Sequence, residues 1–370
     1  NMKIAYDHQI FTFQEIGGVS RYYSMLAYNL LKQQQNVKVF TGLHRNSHLA
    51  NLPKETIKGF GYKKYPPKSG RFIHLLNHLV TNVQIKSWKP DIIHETYYNI
   101  LPKFTSNVAC ITTVHDMINE IFSDQFSKFE KTRYFKKKTV ERVDHIITIS
   151  NSTKSDLINI FGVKDDKISV VHHGVDLKIF KQPKFKNQFS GQPYILYVGS
   201  RDSYKNFNNM LKACAISNII KNKIMIVAFG GGEFSSKELL KINDLGFNDG
   251  LVQQVGGNDE ILASLYSNAL CFVYPSLYEG FGLPPLEAMA AECPVVSSNS
   301  SSMPEVINKA GVYFNPNDID EMCSAIETVI LDKDLRSRLI NLGLKNIKLF
   351  SWQKCAFETL NIYKKITGKI

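Results

Sequence analysis

Short apolar runs recur along the whole chain, each followed by a longer segment in which apolar positions return with helical spacing. In the first half the runs are Ile4–Tyr6, Val37–Thr41, Ile92–Glu95, Ala109–Val114, His145–Ile149 and Ser169–His173. The second half repeats the pattern with Tyr194–Val198, Ile224–Phe229, Leu251–Val255, Leu270–Tyr274 and Pro294–Ser297. Several runs are apolar at every position instead of alternating, which is what a parallel strand needs when helices cover both faces of its sheet. The pattern therefore predicts an α/β protein built from two doubly wound parallel sheets with a cleft between them. The polar, proline-bearing stretch Gln182–Pro193 reads as the connection, giving a first domain over residues 1–186 and a second over 187–350. Residues 351–370 read as a closing amphipathic helix. Open sheets of this kind bind ligands beyond the carboxyl ends of their strands, so the polar residues just after the runs are the candidates for chemistry.

Length and composition agree with this picture: 370 residues hold two ordinary domains, and 44% hydrophobic content is normal for a globular protein. No apolar run approaches the roughly 20 residues needed to cross a bilayer. Asn1 ahead of Met2 reads as an added residue and Lys3–Asp7 as a first strand, not a signal peptide, so a cytoplasmic location is expected. Six scattered cysteines, with no Cys-x-x-Cys and no clustered histidines, read as reduced core residues; neither disulfides nor zinc are indicated. Charge is uneven. Residues 1–186 carry 28 Lys+Arg against 15 Asp+Glu, while 187–370 carry 17 against 18. Much of the excess lies in Tyr62–Arg71 and Phe126–Lys138, where aromatics alternate with cations. Such a face suits an anionic membrane surface, an anionic acceptor or simply solvent, and no nucleic-acid motif accompanies it.

The most informative stretch is Ser276–Ala290, which sets Glu279 and Glu287 on either side of a glycine-rich turn entering a helix. Pro284 and Pro285 suit a first helical turn, where a missing N–H costs little. The amides of Phe281, Gly282 and Leu283 would then face out of a helix N-terminus, a seat for phosphate. The turn Gly199–Asn206 presents Arg201 and Lys205, two cations fit to neutralise a diphosphate. Gly17 and Gly18 precede another helix, and His115 stands just past a buried run, with Asp116 placed to cap the next segment. Two decoys are set aside. Asp318-Ile-Asp320 mimics a metal-binding Asp-x-Asp but opens a helix as its cap, and Phe229–Glu233 is glycine-rich without the Lys-Ser/Thr of an ATP-binding loop.

The Glu-x7-Glu filling, the Gly-x-Arg-x-x-x-Lys-Asn turn and the Gly-Gly-Val-Ser-Arg-Tyr string together resemble the retaining glycosyltransferases of family GT4, over nearly the whole chain. The resemblance implies a GT-B fold of two Rossmann-like domains, the first on the acceptor side, with the last helix crossing back to it. It implies that Glu279 lies beside the transferred hexose and Glu287 binds the nucleotide ribose. It further implies that Arg201, Lys205, Gly17, Gly18 and the amides of Phe281, Gly282 and Leu283 hold the donor diphosphate and that His115 touches the sugar. Arg21 reaches donor or acceptor or stays on the helix surface, and His173 is structural. The implied reaction is front-face hexose transfer from a nucleotide sugar, without metal or other cofactor. The likeness is greatest to bacterial polysaccharide and lipopolysaccharide mannosyltransferases, which points to GDP-mannose; a lipid-linked glycan or lipopolysaccharide acceptor and peripheral contact to an anionic membrane fit the basic first domain. The open alternatives are a UDP-hexose donor, a GT-B sugar-nucleotide epimerase, glycoside hydrolysis by the two glutamates, and a non-catalytic nucleotide-sugar-binding protein.

Overall fold

The computed structural model describes residues 1–100, 107–125, 130–181, 187–189, 191–201 and 203–369. Both halves are α/β with fully parallel sheets. In the first, β1 (Lys3–Tyr6), β2 (Asn36–His44), β3 (Ile57–Gly61), β4 (Ile92–Glu95), β5 (Ala109–Val114), β6 (His145–Thr148) and β7 (Ile168–Val170) run in the order β3-β2-β1-β4-β5-β6-β7. In the second, β8 (Tyr194–Val198), β9 (Met225–Phe229), β10 (Val252–Val255), β11 (Cys271–Tyr274), β12 (Val295–Ser298) and β13 (Gly311–Phe314) run β10-β9-β8-β11-β12-β13. Each order reverses once, between β1 and β4 and between β8 and β11. Such a reversal opens a crevice at the strands' carboxyl ends, because the connections leave in opposite directions.

The chain forms two compact units, Asn1–Gly174 with Ser351–Ile370, and Val175–Phe350. The unit changes at Gly174–Val175, ahead of the anticipated connection, of which residues 182–186 and 190 lie outside the described ones. In the first unit the helix Trp352–Thr367 starts at Ser351, whose hydroxyl accepts from the Lys354 amide, and stops at Gly368 with φ +65°. It buries Trp352, Cys355, Leu360 and Tyr363 in one core with Tyr6, Tyr22 and Tyr23. Tyr363 Oη lies 2.6 Å from His94 Nδ1 and 3.1 Å from Tyr6 Oη, so the helix is fixed by polar contacts as well as by area. The second unit's core gathers Ile195, Tyr197, Ile226, Cys271 and Val273 from the central strands around Phe207, Met210 and Ile326 of the covering helices. All six cysteines are buried and free, as expected.

One expectation is corrected. Lys136, counted with the basic surface of Phe126–Lys138, is inside: its side chain is 2% exposed. Its ammonium lies 2.7 Å from Glu120 Oε2 and donates to the Asp116 carbonyl. A charge withdrawn from water needs such partners, so this lysine serves the core and not a docking face. Residues 126–129 of that segment lie outside the described ones.

Gly174 gives a test of how closely the terminal helix docks. A Cβ there would sit 2.6 Å from the Trp352 backbone, which cannot swing aside as a side chain can. Gly174→Ala is expected to cost about 1–3 kcal/mol, as overpacking does, and to lower the melting temperature of the first unit by several degrees. An unchanged melt would mean that the contact is looser than the structure has it.

Candidate functional site

The second unit's reversal point gathers the sequence-predicted residues, because the loops after β8 and β11 carry them. After β8 the chain turns through Gly199, at φ +137°, into Arg201. The Arg201 side chain is 6% exposed. Its Nη1 donates to Gly230 O at 3.0 Å, and its Nη2 donates to Gly232 O and Glu233 O, each at 3.0 Å. Its Nε–H pairs with Glu238, the residue that completes a capping box with Ser235. Burial works to raise the Glu238 carboxyl pKa, but the Arg201 and Ser235 hydrogen bonds outweigh it and hold it at about 2. The glycine-rich segment after β9, set aside in the sequence as a decoy, is thus the bed on which Arg201 lies.

Four residues on, Lys205 Nζ lies 2.7 Å from Glu279 Oε1. Asn206, at φ +61°, is buried and donates through Nδ2 to Pro275 O at 3.0 Å and Pro316 O at 2.7 Å. The β8 loop is thereby tied to the end of β11, with Leu277 N donating to Tyr204 O at 2.8 Å as a third link. Glu279 is 8% exposed. Its amide donates to Ser301 Oγ at 2.9 Å, and the Ser302 hydroxyl shares its proton between Glu279 O at 2.9 Å and Phe281 O at 2.7 Å. Burial, and then the Glu279 charge beside it, push the Tyr274 hydroxyl pKa well up, so that ring stays a neutral wall of the site.

The helix Leu283–Ala290 begins directly after this turn, with Gly282 as its cap at φ +118° and Pro284 in its first turn. A Cβ on Gly282 would meet the flexible end of Met303, Cε at 2.8 Å, so it is the backbone conformation that calls for glycine. Phe281 is buried, its ring 5.6 Å from that of Phe350. Glu287 is half-buried one turn into the helix, and its charge adds to burial in raising the Tyr266 hydroxyl pKa. Lys205 and Glu279 therefore meet at the turn that enters this helix N-terminus, where the aligned peptide dipoles favour an anion.

In the first unit Gly17 caps the helix Gly18–Lys32, and Gly18 is exposed. Gln14 Oε1 accepts from Ser20 N at 3.2 Å and fills the space that a Gly17 Cβ would take. One first-turn amide is thus already capped from within the chain. His115 follows β5, its ring edge-on to Tyr22 at 4.9 Å. His115 Nε2 is buried with no hydrogen-bond partner. The Tyr22 ring also lies 5.2 Å from that of His173, and His173 Nδ1 lies 2.6 Å from Gly174 O, the structural role expected of it. Asp116 accepts from Ile118 N at 3.1 Å, and Asp318 from Glu321 N at 2.9 Å, so both act as local caps. Among the described residues no group of three His, Cys, Asp or Glu side chains is placed to hold a metal ion.

The sequence pattern includes Asn206 without giving it a role, and it does not reach Glu238, Ser301 and Ser302. The triplet Ser300-Ser301-Ser302 after an apolar run was the available signal, since clustered hydroxyls there serve turns.

Comparison with known proteins decides the family. The family profile described as Glycosyltransferase Family 4 matches residues 16–179, and Glycosyl transferases group 1 matches 178–345. O-antigen chain mannosyltransferase B of Escherichia coli is 32% identical over 69% of this chain and 70% of its own length. This chain belongs to glycosyltransferase family 4. The GT4 assignment is supported equally by O-antigen chain mannosyltransferase RfbU of Salmonella typhimurium, 32% identical over 71% of both chains. The GT-B fold of this GT4 protein is shared with sucrose-phosphate synthase from Thermosynechococcus elongatus, at TM-score 0.75 and 20% identity over the full length of both.

Burial leaves three first-unit histidines of the GT4 chain hard to protonate. His94 and His115 are pushed down to about 3 by burial, with His115 and His173 respectively adding repulsion, and burial holds His173 at about 4. An unfolded chain takes up these protons near pH 6.5 while the fold does not. Their contribution to stability is complete above that pH and falls as pH drops towards 4. Thermal melts should therefore fall between pH 7.5 and 5, and NMR should find the three rings neutral at pH 5. Titration of His115 near 6.5 would refute the burial described.

Proposed function

We propose that the protein transfers mannose from GDP-mannose to a lipid-linked glycan or lipopolysaccharide acceptor in cell-surface polysaccharide synthesis, with retention of configuration and without a metal. The observation that carries this reading is the Lys205–Glu279 pair, 2.7 Å apart at the mouth of a helix N-terminus. An acid and a cation side by side match the two ends of a glycosyl phosphate bond, hydroxyl-rich sugar on one side and diphosphate on the other. The choice of mannose is supported by the names of the two relatives that are 32% identical.

In this reading the anomeric C–O bond to the diphosphate breaks as the acceptor oxygen bonds to the same face of that carbon. The acceptor proton passes to a phosphate oxygen of the leaving GDP. Lys205, the first-turn amides of Phe281, Gly282 and Leu283, and Arg201 stabilise the charge that develops on the diphosphate, which is where such a reaction gains most. Arg201 does so by exchanging carbonyl partners of the Gly230–Glu233 bed for phosphate oxygens. Glu279 accepts from the hexose hydroxyls and, held by Lys205, is not a nucleophile; Glu287 accepts from the ribose. Gly17 and Gly18 let the donor approach the first unit's backbone. His115, neutral and with Nε2 unsatisfied, supplies a hydrogen bond to the sugar.

Calorimetry across GDP-mannose, UDP-glucose, UDP-galactose and UDP-GlcNAc is the test of donor, with GDP-mannose expected to bind tightest. A preference for a UDP-sugar would overturn the donor. Because a hydrogen bond to an ionised group is worth about 1.5–3 kcal/mol, Lys205→Ala and Glu287→Ala should each weaken GDP binding about tenfold or more. Turnover should persist in EDTA; loss restored by manganese or magnesium would refute metal independence.

A further inference from the structure

The helix Gly70–Trp88 is turned inside out. Its buried face carries Asn77, His78 and Thr81 beside Ile73 and Ile85. Asn77 is spent on the protein interior: Nδ2 donates to Leu43 O at 2.8 Å and Thr12 Oγ1 at 3.0 Å, and Oδ1 accepts from Leu43 N at 2.8 Å. The opposite face is apolar and open to solvent: Phe72 is 68% exposed, Leu75 52%, Leu79 58% and Val83 68%, with Leu76 and Val80 beside them. These positions follow the spacing i, i+3, i+4, i+7, i+8, i+11, a continuous stripe along one side of the helix. Scattered exposed leucines need no explanation, but an unbroken apolar ridge does. The edge strand β3 just before it exposes Phe60 and the following Tyr62 as well.

Charge identifies what covers the ridge. Between residues 57 and 90 the chain carries seven cations, Lys58, Lys63, Lys64, Lys68, Arg71, Lys86 and Lys89, and no acid. All seven are exposed. A second copy of this face related by a twofold axis would bring cation against cation, which opposes self-association. Apolar side chains on one face with lysines and arginine around them match a bilayer interface, where the ridge enters the acyl boundary and the cations meet anionic headgroups.

We propose that the helix Gly70–Trp88, with the basic segment that precedes it, is the surface by which this protein lies on an anionic membrane. No helix among the described residues is long and apolar enough to cross one, so the attachment is to the surface. The proposal stands on exposure and charge and holds whichever sugar nucleotide is used.

Co-sedimentation of the full chain with vesicles of phosphatidylcholine, with and without phosphatidylglycerol, is the test. Binding is expected with phosphatidylglycerol and should fall with added salt. Leu75→Gln/Leu79→Gln/Val83→Gln should weaken it at least tenfold with an unchanged melting temperature, since each of these residues is more than half exposed. Lys63→Gln/Lys64→Gln/Lys68→Gln should weaken it severalfold and flatten the salt dependence. Wild-type protein that ignores these vesicles at low salt would overturn the proposal, as would ridge variants that bind unchanged. So would a stable dimer in sedimentation velocity that the ridge variants dissolve, because a second copy would then be the occupant. GDP calorimetry on the ridge variants separates this outcome from a failed donor site.

Discussion

Glu279 is a carboxylate nine-tenths removed from water, and it lies in contact with the Lys205 ammonium. Withdrawing it from solvent costs several kcal/mol, offset only by a partner at contact distance. That partner, Lys205, comes from the loop after a different strand, so β8 and β11 must hold their ends in fixed relation. Asn206 does this through two proline carbonyls, and Ser301 and Ser302 hold the Glu279 turn from the side of β12. The donors of Arg201 bind the segment after β9 into the same arrangement. The arrangement needs two adjacent parallel strands whose connections leave in opposite directions, which is what the strand order supplies.

The first unit meets a different constraint. Its interior is crowded with histidines and tyrosines whose polar atoms must be satisfied without charge, and the terminal helix answers much of that need through Tyr363. His115 Nε2 is one of several buried side-chain atoms of this unit without a hydrogen-bond partner, as are His8 Nε2 and Tyr22 Oη, and it lies at a strand's carboxyl end. Buried orphans of this kind carry a cost, and a polar ligand group is one way to remove it.

Of the thirteen strands among the described residues eleven are legible as apolar runs, and the nine interior ones are so because parallel strands there are covered on both faces. The two that escaped, β3 and β13, are sheet edges; β3 is interrupted by Gly59 and Gly61, and β13 is four residues beginning with glycine. Edge strands need less apolar sequence, and these two lack an apolar run, whereas the other two edges, β7 and β10, carry one. The acids and cations of the second unit were legible as a cluster because they fall at close spacing in two glycine-bearing turns. Their supports were not, since Ser302 and Asn206 act through backbone carbonyls distant in sequence. Lys136 shows the matching failure: a lysine in a run of lysines reads as surface, yet Glu120, sixteen residues before it, draws it inside.

The interdependence of Lys205 and Glu279 can be measured as a double-mutant cycle on GDP-mannose binding, using Lys205→Met, Glu279→Gln and the pair. If the two form one unit around the sugar phosphate bond, the double variant should lose less than the sum of the singles, with a coupling of about 1 kcal/mol or more. Additivity within about 0.3 kcal/mol would mean that each acts alone, contradicting the pair as the centre of the site.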